Sequence, residues 1–235
     1  MYVTEGKAAL MAGSGTPRAT QAERRARSRN ALLEAAARGL SRYGYGNLVL
    51  AKVAAEAGYT RGALYHLFAG KEELALAVVE WVDETWTAEV GRPAAAEADP
   101  VGALLALARG HAVYCRRDVA RVMRTLHAEF AGQDHPVGRA IGGIVERLVA
   151  QAAERIAAGR ASGALPPGPP PRDTALAYIG TLEGLVSSVA GRVPHDVELT
   201  ERAVRGLLGL PSGGGPEHGA AEAEGQSGSG SSPRR

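Results

Sequence analysis

The 235-residue chain is 45% apolar and 5% aromatic, and it has a single cysteine, Cys115. This composition favours a folded all-α protein with a sizeable core, while one cysteine excludes an internal disulfide and a cysteine-based zinc site. No apolar run reaches the roughly 18 residues that span a bilayer and the N-terminus lacks a signal-peptide pattern, so we expect a cytoplasmic protein without a membrane partner.

Charge divides the chain into a basic N-terminal part and an acidic remainder. Residues 1 to 71 carry eleven Lys and Arg against four Asp and Glu, and residues 72 to 235 have a balance of −5. Five arginines fall within twelve residues, namely Arg18, Arg24, Arg25, Arg27 and Arg29. Such a cluster is typical of a phosphate-binding element, with a solvated helix face as the alternative.

The two ends of the chain are rich in Gly, Ser and Ala without periodicity. This predicts a disordered arm over residues 1–19 and a disordered tail over residues 211–235. The folded part is expected between them.

Capping signals predict two helices at the start of the folded part. Thr20 and Glu23 have the spacing of a capping box, which opens a first helix that ends at Gly44. A second helix is expected from about Val49 to Ala57, with Asn47 as its cap.

A glycine turn and a third helix follow. Gly58 readily takes the left-handed conformation, and Thr60 can cap a short helix over residues 61–68. Leu64, Leu67 and Phe68 share one face and should point inward, which leaves polar side chains on the other face. This order of elements indicates a helix-turn-helix, whose last helix enters the DNA major groove.

Apolar periodicity predicts six more helices. Lys71 opens a long fourth helix to about Val90, and Pro166 to Pro171 form an extended connector further on. The other helices are expected at about 100–116, 118–131, 136–161, 172–191 and 196–209.

Three stretches, "SRNALLEAAARGLSRYGYGN", "VAAEAGYTRGALYHLFAGKEEL" and the long helix that follows, resemble the TetR family of transcriptional regulators over about residues 25 to 80. The resemblance implies an all-α homodimer that places the third helix of each subunit in a palindromic operator. The family's contact positions fall on Thr60, Arg61, Gly62, Ala63, Tyr65, His66 and Lys71. The sequence makes two departures from the family pattern: Leu48 and Val49 stand where the usual Thr or Ser is found, and Gly39 replaces a large apolar residue.

The helix at 172–191 has more apolar surface than one core can cover. Leu176, Ile179 and Val186 form one stripe, Tyr178, Leu182, Leu185 and Val189 form a second, and a strip of Gly and Ser lies beside them. We expect a four-helix dimer interface with the last helix, and the central helix of a monomeric bundle is the alternative. The predicted interface residues are Tyr178, Gly180, Thr181, Gly184, Leu185, Ser188, Val204 and Leu208.

The resemblance also implies a small-molecule effector pocket among the middle helices. Its candidate residues are Trp81, His111, Tyr114, Met123, His127 and Glu183. Glu183 interrupts an apolar stripe, so we interpret it as a buried carboxylate that needs a partner, either a ligand or an arginine of the protein.

The sequence thus predicts an N-terminal helix-turn-helix DNA-binding domain at 20–70 and a helical effector-binding and dimerisation domain at 71–210. The leading hypothesis is a homodimeric repressor released from double-stranded operator DNA by an effector. A transcriptional activator or a ligand-independent regulator is the alternative. An enzyme built from His111, His127 and Asp118 or Glu129 ranks far behind because no catalytic spacing supports it. We predict no catalytic residue, metal site or cofactor.

Overall fold

A computed structural model describes residues 20–211, and within that range every regular element is helical. The predicted arm, and the predicted tail beyond residue 211, lie outside the described residues. The helices are α1 Gln21–Tyr43, α2 Leu50–Glu56, α3 Arg61–Tyr65, α4 Lys71–Trp86, α5 Arg92–Ala95, α6 Pro100–Tyr114, α7 Arg121–Glu129, α8 Pro136–Ala161, α9 Pro171–Val189 and α10 His195–Leu207. The predicted all-α class is confirmed. None of these helices has the length and apolar character needed to cross a membrane.

The chain divides into two compact units. The first unit comprises residues 20–93 and 114–148, and the second comprises residues 94–113 and 149–211. Helices α5, α6 and α8 contribute to both units.

Helix α1 begins and ends where the sequence predicts. The Thr20 hydroxyl accepts a hydrogen bond from the Glu23 amide at 3.2 Å, and the Glu23 carboxylate accepts one from the Thr20 amide at 2.7 Å. At the other end, Gly44 has φ +74° and its amide donates to the Leu40 carbonyl. Buried leucines of α1, including Leu32 and Leu33, centre the core of the first unit.

Two details of the helix-turn-helix differ from prediction. Asn47 does not cap α2: its side-chain amide donates to the Tyr43 carbonyl at 3.1 Å, and Val49 occupies the capping position two residues later. Helix α3 ends at Tyr65, earlier than expected, because the Leu67 amide bonds to the Leu64 carbonyl and tightens the last turn. 

Helix α4 continues past its predicted end. A π-helical turn over Thr87–Gly91 joins it to α5, so the helical path extends to Ala95. A short 3₁₀ turn, Asp118–Ala120, precedes α7. The remaining helices lie within a few residues of their predicted positions.

In the second unit, α9 packs on α10 and buries a single stripe instead of the two predicted stripes. Tyr178, Leu182 and Val186 are buried at i, i+4 and i+8, whereas Leu176 is 48% exposed. The Tyr178 hydroxyl donates to the Leu104 carbonyl at 2.7 Å. The stripes were assigned wrongly because periodicity does not show which of two adjacent apolar faces meets the helix's own unit.

This packing corrects three predicted interface residues. Tyr178 and Val204 have no exposed surface and Leu208 is 5% exposed, so their side chains belong to the core of the second unit. Gly180, Gly184 and Ser188 are exposed, and Thr181 and Leu185 are half-buried.

Candidate nucleic-acid interface

Helix α3 presents a polar face while its other side is held in the core. The Thr60 hydroxyl caps it by accepting from the Ala63 amide at 3.1 Å. Leu64 and Phe68 are buried, at 0% and 2% exposure. The predicted contact residues Thr60, Arg61, Gly62, Tyr65 and His66 are exposed, and Ala63 is half-buried.

Arg61 and Tyr65 form a pair one helical turn apart. The Arg61 guanidinium lies 5.3 Å from the centre of the Tyr65 ring, and its Nη2 donates to the Tyr65 hydroxyl at 3.4 Å. Stacking restricts the rotamers of a long side chain. The pair therefore holds a planar donor group, of the kind that reads guanine or binds phosphate, at the N-terminal end of α3.

The turn between α2 and α3 depends on Gly58. It has φ +77°, and the next amide, that of Tyr59, donates to the Ala54 carbonyl at 2.8 Å. Among the amino acids, glycine alone adopts this left-handed conformation without a steric cost.

Two of the three residues that depart from the family pattern, Gly39 and Leu48, lie against each other. Leu48 is 6% exposed, and its Cδ1 lies 2.8 Å from the point where a Cβ on Gly39 would be. The small residue in α1 leaves room for the large one before α2. Leu48 is therefore a packing residue.

Lys71 is partly occupied within the protein. Its Nζ donates to the Gly46 carbonyl at 2.8 Å and lies 4.7 Å from the centre of the Tyr45 ring. The ammonium has three donor hydrogens, so this contact leaves capacity for a phosphate.

The arginine cluster lies mainly on the exposed side of α1. Arg24, Arg25 and Arg27 are exposed, and Arg29 is half-buried with its guanidinium 5.6 Å from the Phe68 ring centre. Arg18 lies outside the described residues. The cluster gives the N-terminal half of α1 a positive surface, and Arg29 places part of it beside Phe68, just after α3.

Two of the predicted effector-pocket residues, His111 and Glu183 of the second unit, lie close together. Their Nε2 and Oε1 atoms are 3.5 Å apart, and the Glu183 side chain is 47% exposed. The interpretation of Glu183 as a buried carboxylate is therefore wrong. The Glu183 carboxylate side chain is half exposed to solvent at the surface of the second unit.

The other candidates belong to the first unit. Tyr114 is buried with its hydroxyl 2.7 Å from the Thr85 hydroxyl, and burial raises the pKa of Tyr114. Trp81 and Met123 are half-buried, and His127 is exposed. Within residues 20–211, no group of three His, Cys, Asp or Glu side chains converges as a metal site would require.

The first unit also has an open groove of about 580 Å³. Its lining residues include Arg29, Leu67, Phe68, Leu76, Ala140 and Ile144. The residues predicted to form an effector pocket lie elsewhere in the described chain.

Sequence reasoning missed one contact that supports the helix-turn-helix. Both carboxylate oxygens of Glu129 accept hydrogen bonds from consecutive backbone amides, those of Tyr45 and Gly46, at 2.6 and 2.7 Å. The partners are more than 80 residues apart, so no local pattern could indicate the contact. The only signal in the sequence was a loop, Gly44-Tyr45-Gly46, whose amides needed acceptors.

Comparison with known proteins agrees with this architecture. Residues 32–78 match the family model described as bacterial regulatory proteins, tetR family. No curated protein matches the chain.

Solved structures share the fold over most of the chain. One is AibR in complex with isovaleryl coenzyme A and operator DNA, with 22% identity, a TM-score of 0.66, and coverage of 77% of this chain and 98% of that chain. A TetR-family transcriptional regulator from Streptomyces coelicolor has 23% identity, a TM-score of 0.66 and coverage of 78% and 95%. FadR from Bacillus subtilis in complex with stearoyl-CoA has 17% identity, a TM-score of 0.65 and coverage of 76% and 97%.

At these identities the structural likeness establishes the fold, and the family model covers the helix-turn-helix. The resemblance seen in the sequence is confirmed: residues 32–78 match the model of the tetR family of bacterial regulatory proteins, and the described chain shares the fold of a solved TetR-family transcriptional regulator.

Proposed function

We propose that this TetR-family regulator is a homodimeric repressor that binds a palindromic operator through α3 and is released from it by a small-molecule effector. Residues 20–70 form the DNA-binding domain in this proposal, and residues 71–210 bind the effector and the second subunit. The observation that carries it is the capped, exposed polar face of α3, backed by Leu64 and Phe68 in the core.

The contacts proposed for α3 follow from its geometry. Arg61, aligned by Tyr65, reads a base edge, and Thr60 and His66 lie close enough along the same short helix to contact flanking phosphates. Gly62 and Ala63 lack bulky side chains and let the helix approach the groove floor. Lys71 adds a phosphate contact at the start of α4.

The proposed dimer interface is the exposed small-residue strip of α9. Gly180 and Gly184 lie on it, a Cβ at either position meets no heavy atom of the described chain within 4 Å, and Leu176 is exposed nearby in sequence. Small residues allow close approach of a second helix, and the exposed leucine gives apolar area to bury. Leu199 of α10, 39% exposed, extends the apolar surface.

Acyl-coenzyme A thioesters are the effector class to test first. AibR and FadR, which share this fold, were solved with isovaleryl coenzyme A and stearoyl-CoA. The expected result is a rise in Tm on addition of the thioester and dissociation of the operator complex at matching concentrations. Free coenzyme A is the control for the acyl chain.

DNA binding is tested with the fragment upstream of the protein's own gene, in about 150 mM salt to suppress counterion-driven binding. Fluorescence anisotropy should show tighter binding to this fragment than to a shuffled fragment of equal length. Equal affinity for the two fragments would refute specific recognition.

Arg61→Ala is the site variant and Arg92→Ala its matched control. Arg92 is exposed and lies about 30 Å along the helical path from Lys71, beyond reach of DNA bound at α3. Loss of one bidentate base contact costs about 1–3 kcal/mol. Arg61→Ala should lose that specific affinity, whereas Arg92→Ala should bind as the parent does.

The interface is tested with Gly184→Arg and Gly142→Arg. Both glycines are exposed on helices, and a Cβ at either meets nothing within 4 Å in the described chain. Sedimentation velocity should show a monomer for Gly184→Arg and a dimer for the parent and Gly142→Arg. A dimeric Gly184→Arg variant would place the interface elsewhere.

A further inference from the structure

The loop between α1 and α2 is held by a carboxylate from a distant helix. Glu129, the last residue of α7, binds the Tyr45 amide through Oε2 at 2.6 Å and the Gly46 amide through Oε1 at 2.7 Å. We call this arrangement the Glu129 clamp. Successive amides that converge on one anion form a strong site, because hydrogen bonds to a charged acceptor are shorter and stronger than neutral ones.

The backbone of this loop is shaped around the carboxylate. Gly44 has φ +74°, and a Cβ there would lie 2.7 Å from Glu129 Oε2. At Gly46 a Cβ would lie 3.4 Å from Oε1. The close approach of Glu129 therefore requires glycine at position 44 and leaves little room at position 46.

Rings and a cation also hold this loop. The Tyr45 ring centre lies 5.2 Å from those of Phe130 and His135, in edge-to-face geometry, and Phe130 stacks on His135 at 4.1 Å. Lys71, at the start of α4, lies over the Tyr45 ring and donates to the Gly46 carbonyl. The loop is thus fixed between the end of α7 and the start of α4.

This attachment lies directly before the helix-turn-helix. The loop continues through buried Leu48 into α2, and α2 holds α3. Besides the burial of Leu64 and Phe68 in the core, α3 is connected to the rest of the first unit covalently through α4 and, by way of α2 and the α1–α2 loop, noncovalently through the Glu129 clamp. We propose that Glu129 is a positioning residue, whose grip on the Tyr45 and Gly46 amides fixes the orientation in which α3 is presented to DNA.

The proposal rests on the proposed operator binding, so its test has one readout that needs no DNA. Hydrogen exchange of the Tyr45 and Gly46 amides reports on the clamp alone. Glu129→Gln keeps the shape but has one carbonyl oxygen instead of two carboxylate oxygens, and Glu129→Asp keeps the charge on a shorter chain. Loss of a charged hydrogen bond predicts about tenfold faster exchange at these amides.

The second readout is the preference for half-site spacing. Operators with the half-sites moved apart or together by one and two base pairs are compared for the parent and the variants. If the clamp fixes the orientation of α3, Glu129→Gln and Glu129→Asp should discriminate less between spacings, because a freer α3 accepts more of them. Glu84 is exposed on α4, and Glu84→Gln removes the same charge as Glu129→Gln. This control variant should discriminate between half-site spacings as the parent does.

Each outcome decides a separate point. Parent-like exchange at Tyr45 and Gly46 in Glu129→Gln and Glu129→Asp would overturn the clamp. Faster exchange with an unchanged spacing preference, even with a lower Tm, would reduce Glu129 to a purely structural residue and overturn its positioning role. Failure of the parent to bind any operator would refute the proposed function, while the exchange result would still report on the clamp.

Discussion

Replacing Gly44 by alanine places a methyl group against the carboxylate of Glu129. The new Cβ would lie 2.7 Å from Oε2 and 3.4 Å from the carboxylate carbon. Glu129 cannot retreat without lengthening its bonds of 2.6 and 2.7 Å to the Tyr45 and Gly46 amides. The backbone adds a second cost, since φ +74° with ψ 177° is a region that is populated almost only by glycine.

The expected loss of stability combines these effects. Backbone strain costs about 1–3 kcal/mol, and weakening a hydrogen bond to a charged acceptor costs about 1.5–3 kcal/mol. Alanine also restricts the unfolded chain more than glycine does, which offsets the loss by about 0.4–1 kcal/mol. The net loss is about 3 kcal/mol, which corresponds to a fall in Tm of about 6–12 °C for a protein of this size.

Differential scanning calorimetry compares Gly44→Ala with Gly132→Ala, which controls for the cost of a positive φ. Gly132 has φ +73°, but a Cβ there meets no heavy atom of the described chain within 4 Å. Gly132→Ala should therefore show only the strain of a positive φ, about 1–2 kcal/mol. Equal losses for the two variants would show that crowding at Glu129 contributes nothing, and the reasoning would fail.

Three further predictions concern single contacts. Thr60→Ala removes the cap of α3 and should cost about 1 kcal/mol, seen as faster exchange of the α3 amides; unchanged exchange would contradict the capping role. Burial raises the pKa of Tyr178, so the stabilisation by this residue is complete below the ordinary tyrosine pKa near 10 and is lost as the pH rises above it. In urea unfolding, the free energy of unfolding of Tyr178→Phe should fall less steeply above pH 10 than that of the parent. Parallel falls in the two proteins would contradict this. Burial raises the pKa of Glu201, but hydrogen bonds from Arg109 and Arg205 outweigh burial, so the pKa lies below its usual value. The stabilisation by Glu201 is therefore present above the usual glutamate pKa and lost as the pH falls. Glu201→Gln should be less stable than the parent at pH 7 and should lose less stability on acidification; an unchanged acid dependence would argue against the ion pairs.

Local signals in the sequence predicted most of the helix boundaries. The capping box at Thr20, the Thr60 cap and the glycine stops depend on side chains within a few residues of the backbone groups that they satisfy, so spacing alone indicates them. Asn47 does not cap α2, because its side chain is used in another local hydrogen bond. Its side-chain amide donates to the Tyr43 carbonyl four residues earlier, a local alternative that the spacing did not reveal.

The candidate site was predicted in part. Which residues of α3 are exposed followed from helical periodicity, because Leu64 and Phe68 had to face inward. The stacking of Arg61 on Tyr65 and the occupation of Lys71 by the Gly46 carbonyl did not follow, since side-chain rotamers and loop approach depend on neighbours. The roles of these residues in DNA contact stay predictions.

By itself, the sequence determined the helical class, the helix-turn-helix and its exposed polar face, because these arise from periodicity and capping over short distances. Only the tertiary structure decided which face of α9 enters the core and which residue holds the α1–α2 loop. Tyr178 was assigned to a subunit interface and lies in the core, and Glu129 was considered only for an enzyme site and holds the loop instead. Both outcomes depend on partners more than 70 residues away, and such long-range contacts leave no periodic trace in a single sequence.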